Sequence, residues 1–341
     1  MNQNNGHVQS NAEAKTLLLA EDLRMSYSGG RRALKGLSFN LKAGRVLGFL
    51  GPNGAGKTTS IRILTTMLPP TSGRFIVDGI SSEHPQEIRR KIGVLPEGLG
   101  FPKHSTGLDY LIFFGQLFGR SATDAKRVAQ SLLNDVGMEH RGNSLIGTYS
   151  HGMRQRLGIA RALVNDPAVI FMDEPTLGLD PRGQQELLGL IRRIPRERNA
   201  SVVLSSHLLL EIEGICDDVV IMNSGTIVAK GTVNEVIGQS QQNLGLHNVM
   251  RIRVPESSVV QAQQILQAIP AVKQVTPEEE MLGWLATELH EADDETSPEG
   301  RLVKNNILGA LIRADIPVLG FESVGGRLQD VFLQLTAESI G

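Results

Sequence analysis

The sequence predicts an α/β protein built on a largely parallel sheet, with a helical subdomain inserted into it and a small α+β domain behind it. Three observations carry this expectation. The runs Val46-Leu47-Gly48-Phe49-Leu50, Ala168-Val169-Ile170-Phe171-Met172 and Ser201-Val202-Val203-Leu204-Ser205-Ser206 are short and uncharged, as strands buried on both faces of a sheet must be. The first runs into a glycine-rich loop, Gly51-Pro52-Asn53-Gly54-Ala55-Gly56-Lys57-Thr58-Thr59, and then into the helical pattern Ser60-Ile61-Arg62-Ile63-Leu64. Beyond residue 243, two helical patterns lie among four strand-like runs in the order βαββαβ.

The 341 residues exceed one ordinary domain, and 40% hydrophobic with 21% charged residues describes a globular chain with ample core. Its 34 basic and 36 acidic residues give a net charge of −2, which argues against a global nucleic-acid or anionic-membrane surface, and no nucleic-acid partner is expected. The single cysteine, Cys216, cannot form an intramolecular disulfide, so a reducing compartment is expected. Residues 1–15 are polar, rich in Asn and Gln, and lack the pattern of a signal peptide; they read as a disordered tail. No apolar run approaches the ~20 residues that span a bilayer, so any membrane role calls for a separate partner.

Taken in order, residues 17–19, 37–41 and 46–50 read as strands separated by the turns Gly29-Gly30 and Ala43-Gly44, an antiparallel set leading to the first core strand. Tyr27 lies in this region, either as strand packing or as a face on which adenine stacks. Pro69-Pro70-Thr71-Ser72-Gly73 breaks the chain, Arg74-Phe75-Ile76-Val77-Asp78-Gly79 reads as a strand and its turn, and a helix over 85–90 leads to Ile92-Gly93-Val94-Leu95-Pro96-Glu97. Phe101, Tyr110, Phe113, Phe114 and Phe118 then crowd into 18 residues. Such density serves helix packing and leaves room for a partner-docking surface. Helical spacing returns over 122–136, and Tyr149-Ser150-His151-Gly152-Met153-Arg154-Gln155-Arg156 opens another helix, with Ser150 as its N-cap. The turn Pro175-Thr176-Leu177-Gly178-Leu179-Asp180 leads to a helix over 184–192, and residues 219–222 and 226–230 flank the hairpin turn Asn223-Ser224-Gly225.

The chemistry in these runs points to a phosphorylated ligand. Glycines let a backbone fold tightly around a polyphosphate so that N–H groups and the following helix dipole face the anion. Lys57 would reach the outer phosphates and the Thr58 hydroxyl would sit on Mg²⁺. The apolar strand ending in Asp173-Glu174 places two carboxylates at the edge where parallel sheets bind ligands, Asp173 for Mg²⁺ and Glu174 to polarise an attacking water. His207, at the end of the 201–206 strand, is placed to donate to a γ-phosphate. Taken alone, a glycine-rich loop is turn chemistry, a strand-end acid is a surface charge and a lone histidine is structural; their common order favours a bound nucleotide.

Across residues 17–238 this ordered set resembles the nucleotide-binding subunit of ABC transporters. The P-loop is residues 51–59, the Walker B strand 169–174, the signature 149–156, the D-loop 177–180, and the switch histidine His207. The resemblance implies an ABC-type P-loop NTPase core at 16–240, with its helical subdomain at about 98–165, and an accessory domain at 241–341. It implies ATP and Mg²⁺ as cofactors and two subunits, taken as identical, meeting head to tail. Tyr27 and residues Gly51, Pro52, Asn53, Gly54, Ala55, Gly56, Lys57, Thr58 and Thr59 would hold ATP in cis, with Ser150 and Gly152 of the second subunit closing it and Asp180 of the D-loop also at the nucleotide. Thr58, Glu97 and Asp173 would serve the metal, and Glu174 and His207 catalysis.

Three positions depart from the common pattern. Glu97 stands where many members carry glutamine, His151 replaces a usual glycine and Met153 a usual glutamine. The departures bear on detailed contacts and rate, and His151 reads as a solvent-facing spacer. Pro96-Glu97, the signature, and the ending Gly326-Arg327-Leu328-Gln329-Asp330-Val331-Phe332-Leu333-Gln334-Leu335-Thr336 resemble the branch that exports drugs, antibiotics, sodium and polysaccharides. The implied protein is an ATP-hydrolysing subunit on the cytoplasmic face of a membrane, working through a separate polytopic permease. Two competing readings are a soluble ATPase acting on nucleic acid, ribosomes or cofactor assembly, and a nucleotide-gated regulatory module without turnover. The first lacks a second P-loop and a basic stripe; the second is opposed by Asp173, Glu174 and His207.

Overall fold

The computed structural model describes residues 15–98, 100–206, 213–244, 249–278, 282–290, 298–323, 328 and 331–332. The chain forms two compact units, Met1–Gly231 and Thr232–Gly341. The division precedes the expected 240/241 boundary because the helix Val233–Leu244 groups with the second unit.

The first unit holds two sheets. β1 (Thr16–Ser26) and β2 (Arg32–Lys42) pair antiparallel. Their alternating burial, with Leu18, Leu23, Leu37 and Leu41 inside, marks a sheet with one wet face. β4 (Ser72–Val77) pairs with the other edge of β1 and carries the short β5 (Ile80–Ser81). The second sheet runs β10-β9-β3-β8-β7-β6. Its centre, β3 (Val46–Leu50), β7 (Val169–Asp173) and β8 (Ser201–Ser206), is buried at every residue, which explains the absence of alternation. β3 therefore belongs to the parallel sheet, and the run at 74–79 supplies the antiparallel one. At the edges lie β6 (Ile92–Leu95) and the hairpin of β9 (Asp218–Asn223) with β10 (Thr226–Thr232). One apolar cluster joins the sheets, with Phe39 of β2 edge-on to Phe49 of β3 at 5.1 Å.

α1 (Lys57–Leu64) follows the glycine-rich loop, and α2 (Pro85–Arg89) leads into β6. The helical subdomain comprises α3 (Gly107–Leu117), α4 (Ala122–Asp135) and α5 (His151–Leu163). Each has a hydroxyl N-cap: Thr106 accepts from the Asp109 N–H, Ser121 from Asp124 and Ser150 from Met153. Tyr110 is buried and touches Phe101 and Phe114, whereas Phe113 and Phe118 stay exposed. α6 (Pro181–Arg198) is longer than expected and contains Pro195; Arg198 near its end bonds Asp135 and Ser131 of α4.

In the second unit, β11 (Val249–Arg253), β12 (Val272–Pro277), β13 (Trp284–Leu289) and β14 (Gly320–Ser323) form an antiparallel sheet ordered β12-β13-β11-β14. With helices Val259–Gln267 and Pro298–Arg313 this is a βαββαβ split fold. Its own core includes Met250, Ile252, Leu266, Leu285, Ile307 and Leu311. The expected closing helix at 326–336 lies outside the described residues except for Leu328, Val331 and Phe332, which are helical.

Candidate functional site

β3 delivers the glycine-rich loop to the carboxyl edge of the parallel sheet, between β8 and β9. Two glycines are fixed by packing. A Cβ on Gly51 would lie 2.4 Å from the Met222 carbonyl oxygen, and one on Gly56 would lie 2.7 Å from Leu34 Cδ2 at a φ of 109°. The loop thus presses its back onto β2 and β9, and its front opens to a cleft of about 730 Å³. Tyr27, Ser28, Arg31 and Ala33, residues 52–59, and Glu97, Glu174 and Leu177 line that cleft.

Lys57 is 6% exposed. Its Nζ donates to the Gly51 carbonyl at 2.7 Å and lies 3.7 Å from Glu174 Oε1. Burial pulls its pKa below the usual lysine value, against the opposing pull of the Glu174 and Asp173 carboxylates. A buried ammonium at the mouth of a phosphate loop is stabilised by an incoming polyanion.

The carboxylates meet the loop from β7. Asp173 is 5% exposed, and its Oδ1 accepts from Thr58 Oγ1 at 3.2 Å and from Ser205 Oγ at 2.6 Å. Ser205 Oγ in turn accepts from the Glu174 N–H at 3.0 Å. Glu174 has a φ of 47°, in the left-handed region that costs a residue with a side chain energy. This oxygen donor set fits a hard cation: Thr58 and Asp173 supply a hydroxyl and a carboxylate, and phosphate oxygens complete such a shell. Glu97 is exposed at the cleft wall, on the same opening.

Tyr27 lies between the core and the cleft. It is half-buried against the core, lines the cleft, and its hydroxyl lies 3.3 Å from Thr59 Oγ1. The structure does not bring Ser150, Gly152 or Asp180 to this cleft. They line a second cleft of about 400 Å³ between the start of α5 and the start of α6, where Asp180 caps α6 through the Gly183 N–H. His151 is exposed but is more than a spacer: its Nε2 donates to the Leu177 carbonyl at 2.9 Å and ties the signature to the D-loop. His207 lies outside the described residues.

Sequence reasoning missed Ser205 and Arg31. Ser205 looks like one more residue of a buried strand, and its only signal is position, beside the strand that ends in acids. Arg31 sits in a turn of mixed polar residues with no pattern to single it out.

A phosphate loop with a buried lysine, facing paired carboxylates across the carboxyl edge of a parallel sheet, defines an ATPase of the P-loop class. The profile of the family described as "ABC transporter" matches residues 34–177. The chain is 34% identical over 314 residues to the daunorubicin/doxorubicin resistance ATP-binding protein DrrA of Streptomyces peucetius, covering 90% of this chain and 88% of that one. It is 29% identical over 326 residues to the linearmycin resistance ATP-binding protein LnrL of Bacillus subtilis, covering 95% and 99%. A solved ATP-binding subunit of an ABC transporter superposes on 68% of this chain and 94% of its own, with a TM-score of 0.59 and 30% identity. The chain belongs to the ABC transporter ATP-binding family, among relatives of the drug and antibiotic resistance branch. Among the described residues, no helix is long and apolar enough to cross a membrane.

Proposed function

We propose that this chain is the ATP-hydrolysing subunit of an antibiotic-type exporter, working as a dimer on the cytoplasmic face of a membrane through a separate permease. The observation that carries the reading is the separation of the two clefts. A P-loop on one and a signature on the other leave each chain with two half-sites, which head-to-tail pairing of two copies would complete. The drugs named for the relatives supply the cargo class.

In this reading the P-loop residues hold ATP, with Tyr27 beneath the adenine and Lys57 on the outer phosphates. Thr58 and Asp173, with Glu97 at the opening, would hold Mg²⁺, which screens the phosphate charge when bound. Glu174 accepts a proton from the attacking water, and His207 steadies the γ-phosphate. Ser150 and Gly152 of the second copy close over that phosphate, with Asp180 beside them, so loss of the phosphate releases the pair.

The stripe Phe113, Leu117 and Phe118 at the end of α3 supports a permease-facing surface, being 59%, 66% and 42% exposed.

Glu174→Gln tests the assignment. ATP binding should persist and a dimer accumulate, while turnover falls roughly 10²–10⁴-fold, as expected when a general base is lost. Hydrolysis at the parent rate would remove Glu174 from the mechanism.

A further inference from the structure

Ser205 joins both carboxylate positions at the end of β7. It is fully buried and stands opposite Asp173 in the β7–β8 register. Its hydroxyl is used in both directions: the proton goes to Asp173 Oδ1 at 2.6 Å, and the oxygen accepts from the Glu174 N–H at 3.0 Å. Thr58 Oγ1 reaches the same Oδ1 at 3.2 Å, so two hydroxyls from two elements fix one carboxylate oxygen. A carboxylate has about four acceptor positions, and those that remain can serve a cation.

We propose that Ser205 is a positioning residue for ATP hydrolysis, orienting the Asp173 carboxylate toward a divalent cation and pinning the Glu174 backbone in its left-handed turn. The proposal rests on the roles given above to Asp173 and Glu174. One hydroxyl fits both tasks because the parallel register sets β8 level with the end of β7. At 0% exposure its hydroxyl is shielded from bulk water. An alanine there leaves the Glu174 N–H without this acceptor and Asp173 with one donor fewer, in a place where hydrogen bonds to charged groups are strong.

The test is ATP titration of the full chain, in millimolar Mg²⁺ and in EDTA, for the parent, Ser205→Ala, Asp173→Asn and the double variant, with Ser205→Thr as the hydroxyl-keeping control. In EDTA the parent and Ser205→Ala should bind ATP alike. The gain in affinity that Mg²⁺ gives should shrink about tenfold in Ser205→Ala, the scale of one hydrogen bond to a charge, and return in Ser205→Thr. In the Asp173→Asn background Ser205→Ala should cost no further gain, because its effect runs through that carboxylate. Ser205→Ala should also lower kcat, and its KM for ATP in Mg²⁺ should rise with the weakened binding, both returning in Ser205→Thr. Equal losses in Mg²⁺ and EDTA would reduce Ser205 to a structural role, and so would an equal cost in both backgrounds. An unchanged Mg²⁺ gain in Ser205→Ala would overturn the proposal outright. A parent that gains nothing from Mg²⁺ would instead overturn the metal role of Asp173, and the bridge with it.

Discussion

Asp78 shows how a single carboxylate outside the cleft ties the first unit together. Its Oδ1 accepts from Lys15 Nζ at 2.5 Å, and its other oxygen lies 3.4 Å from Lys91 Nζ. The Lys15 hydrogen bond, helped by Lys91, holds its carboxyl below the usual carboxylate range against partial burial. A lowered folded pKa stabilises fully above the unfolded value of about 3.9, and that contribution is lost as pH falls from there through the folded pKa. Both lysines are at least half exposed, which limits the effect. Asp78→Asn should therefore cost up to about 1 kcal/mol in urea unfolding at pH 7 and less at pH 3. Asparagine tolerates the residue's φ of 48°, so backbone strain does not enter. Equal losses at both pH values would refute the charge account.

Residues of the site differ in how far the sequence exposes them. Lys57, Thr58 and Asp173 follow from type and spacing, because a phosphate loop and a strand-end acid need those groups in that order. The left-handed turn at Glu174 is invisible in the text, since nothing about a glutamate announces positive φ; the neighbouring strand imposes it. Ser205 is hidden for the same reason. Its meaning comes from a register between strands 32 positions apart.

At the scale of elements, the buried strands are legible because burial on both faces leaves runs dominated by apolar residues. β1 and β2 are longer than the runs at 17–19 and 37–41: they extend 11 residues each, and their exposed positions carry polar and charged residues that resemble turns. β4 was found as a strand, but no local signal assigns it to β1, because pairing partners are a property of the fold. α6 runs past the expected end at 192, since its buried face, Leu187, Leu190, Ile191 and Ile194, continues to Pro195.

α3 offers a test at this scale. Tyr110 and Leu111 point to the core, while Phe113 and Leu117 lie one turn apart on the exposed side. Phe113→Asp with Leu117→Asp should leave ATP binding unchanged and abolish co-purification with a permease from detergent-solubilised membranes. Undiminished co-purification would place that contact elsewhere.

For the whole molecule, each unit carries its own apolar cluster. A chain ending at Gly231 retains all six strands of the parallel sheet, with β10 one residue short, and should bind ATP within about threefold of the full chain. Nucleotide titration alongside a cooperative thermal transition checks this; a truncated chain that never folds would make the second unit a partner in the first one's stability.

The place of β3 bears on how the protein is made. Its neighbours, β8 and β9, begin at Ser201 and Asp218, some 150 residues downstream. The P-loop leaves the ribosome early, but Gly51 has no Met222 carbonyl to rest on until about two thirds of the chain has been synthesised. Residues 34–177, the span that identifies the family, would by themselves leave both edges of β3 open. Long-range strand pairing of this kind is slow and exposes apolar edges while it waits. The sheet around the P-loop strand is therefore completed late in synthesis, and a nascent chain stalled before β8 carries the recognisable motif on a strand with both edges unpaired.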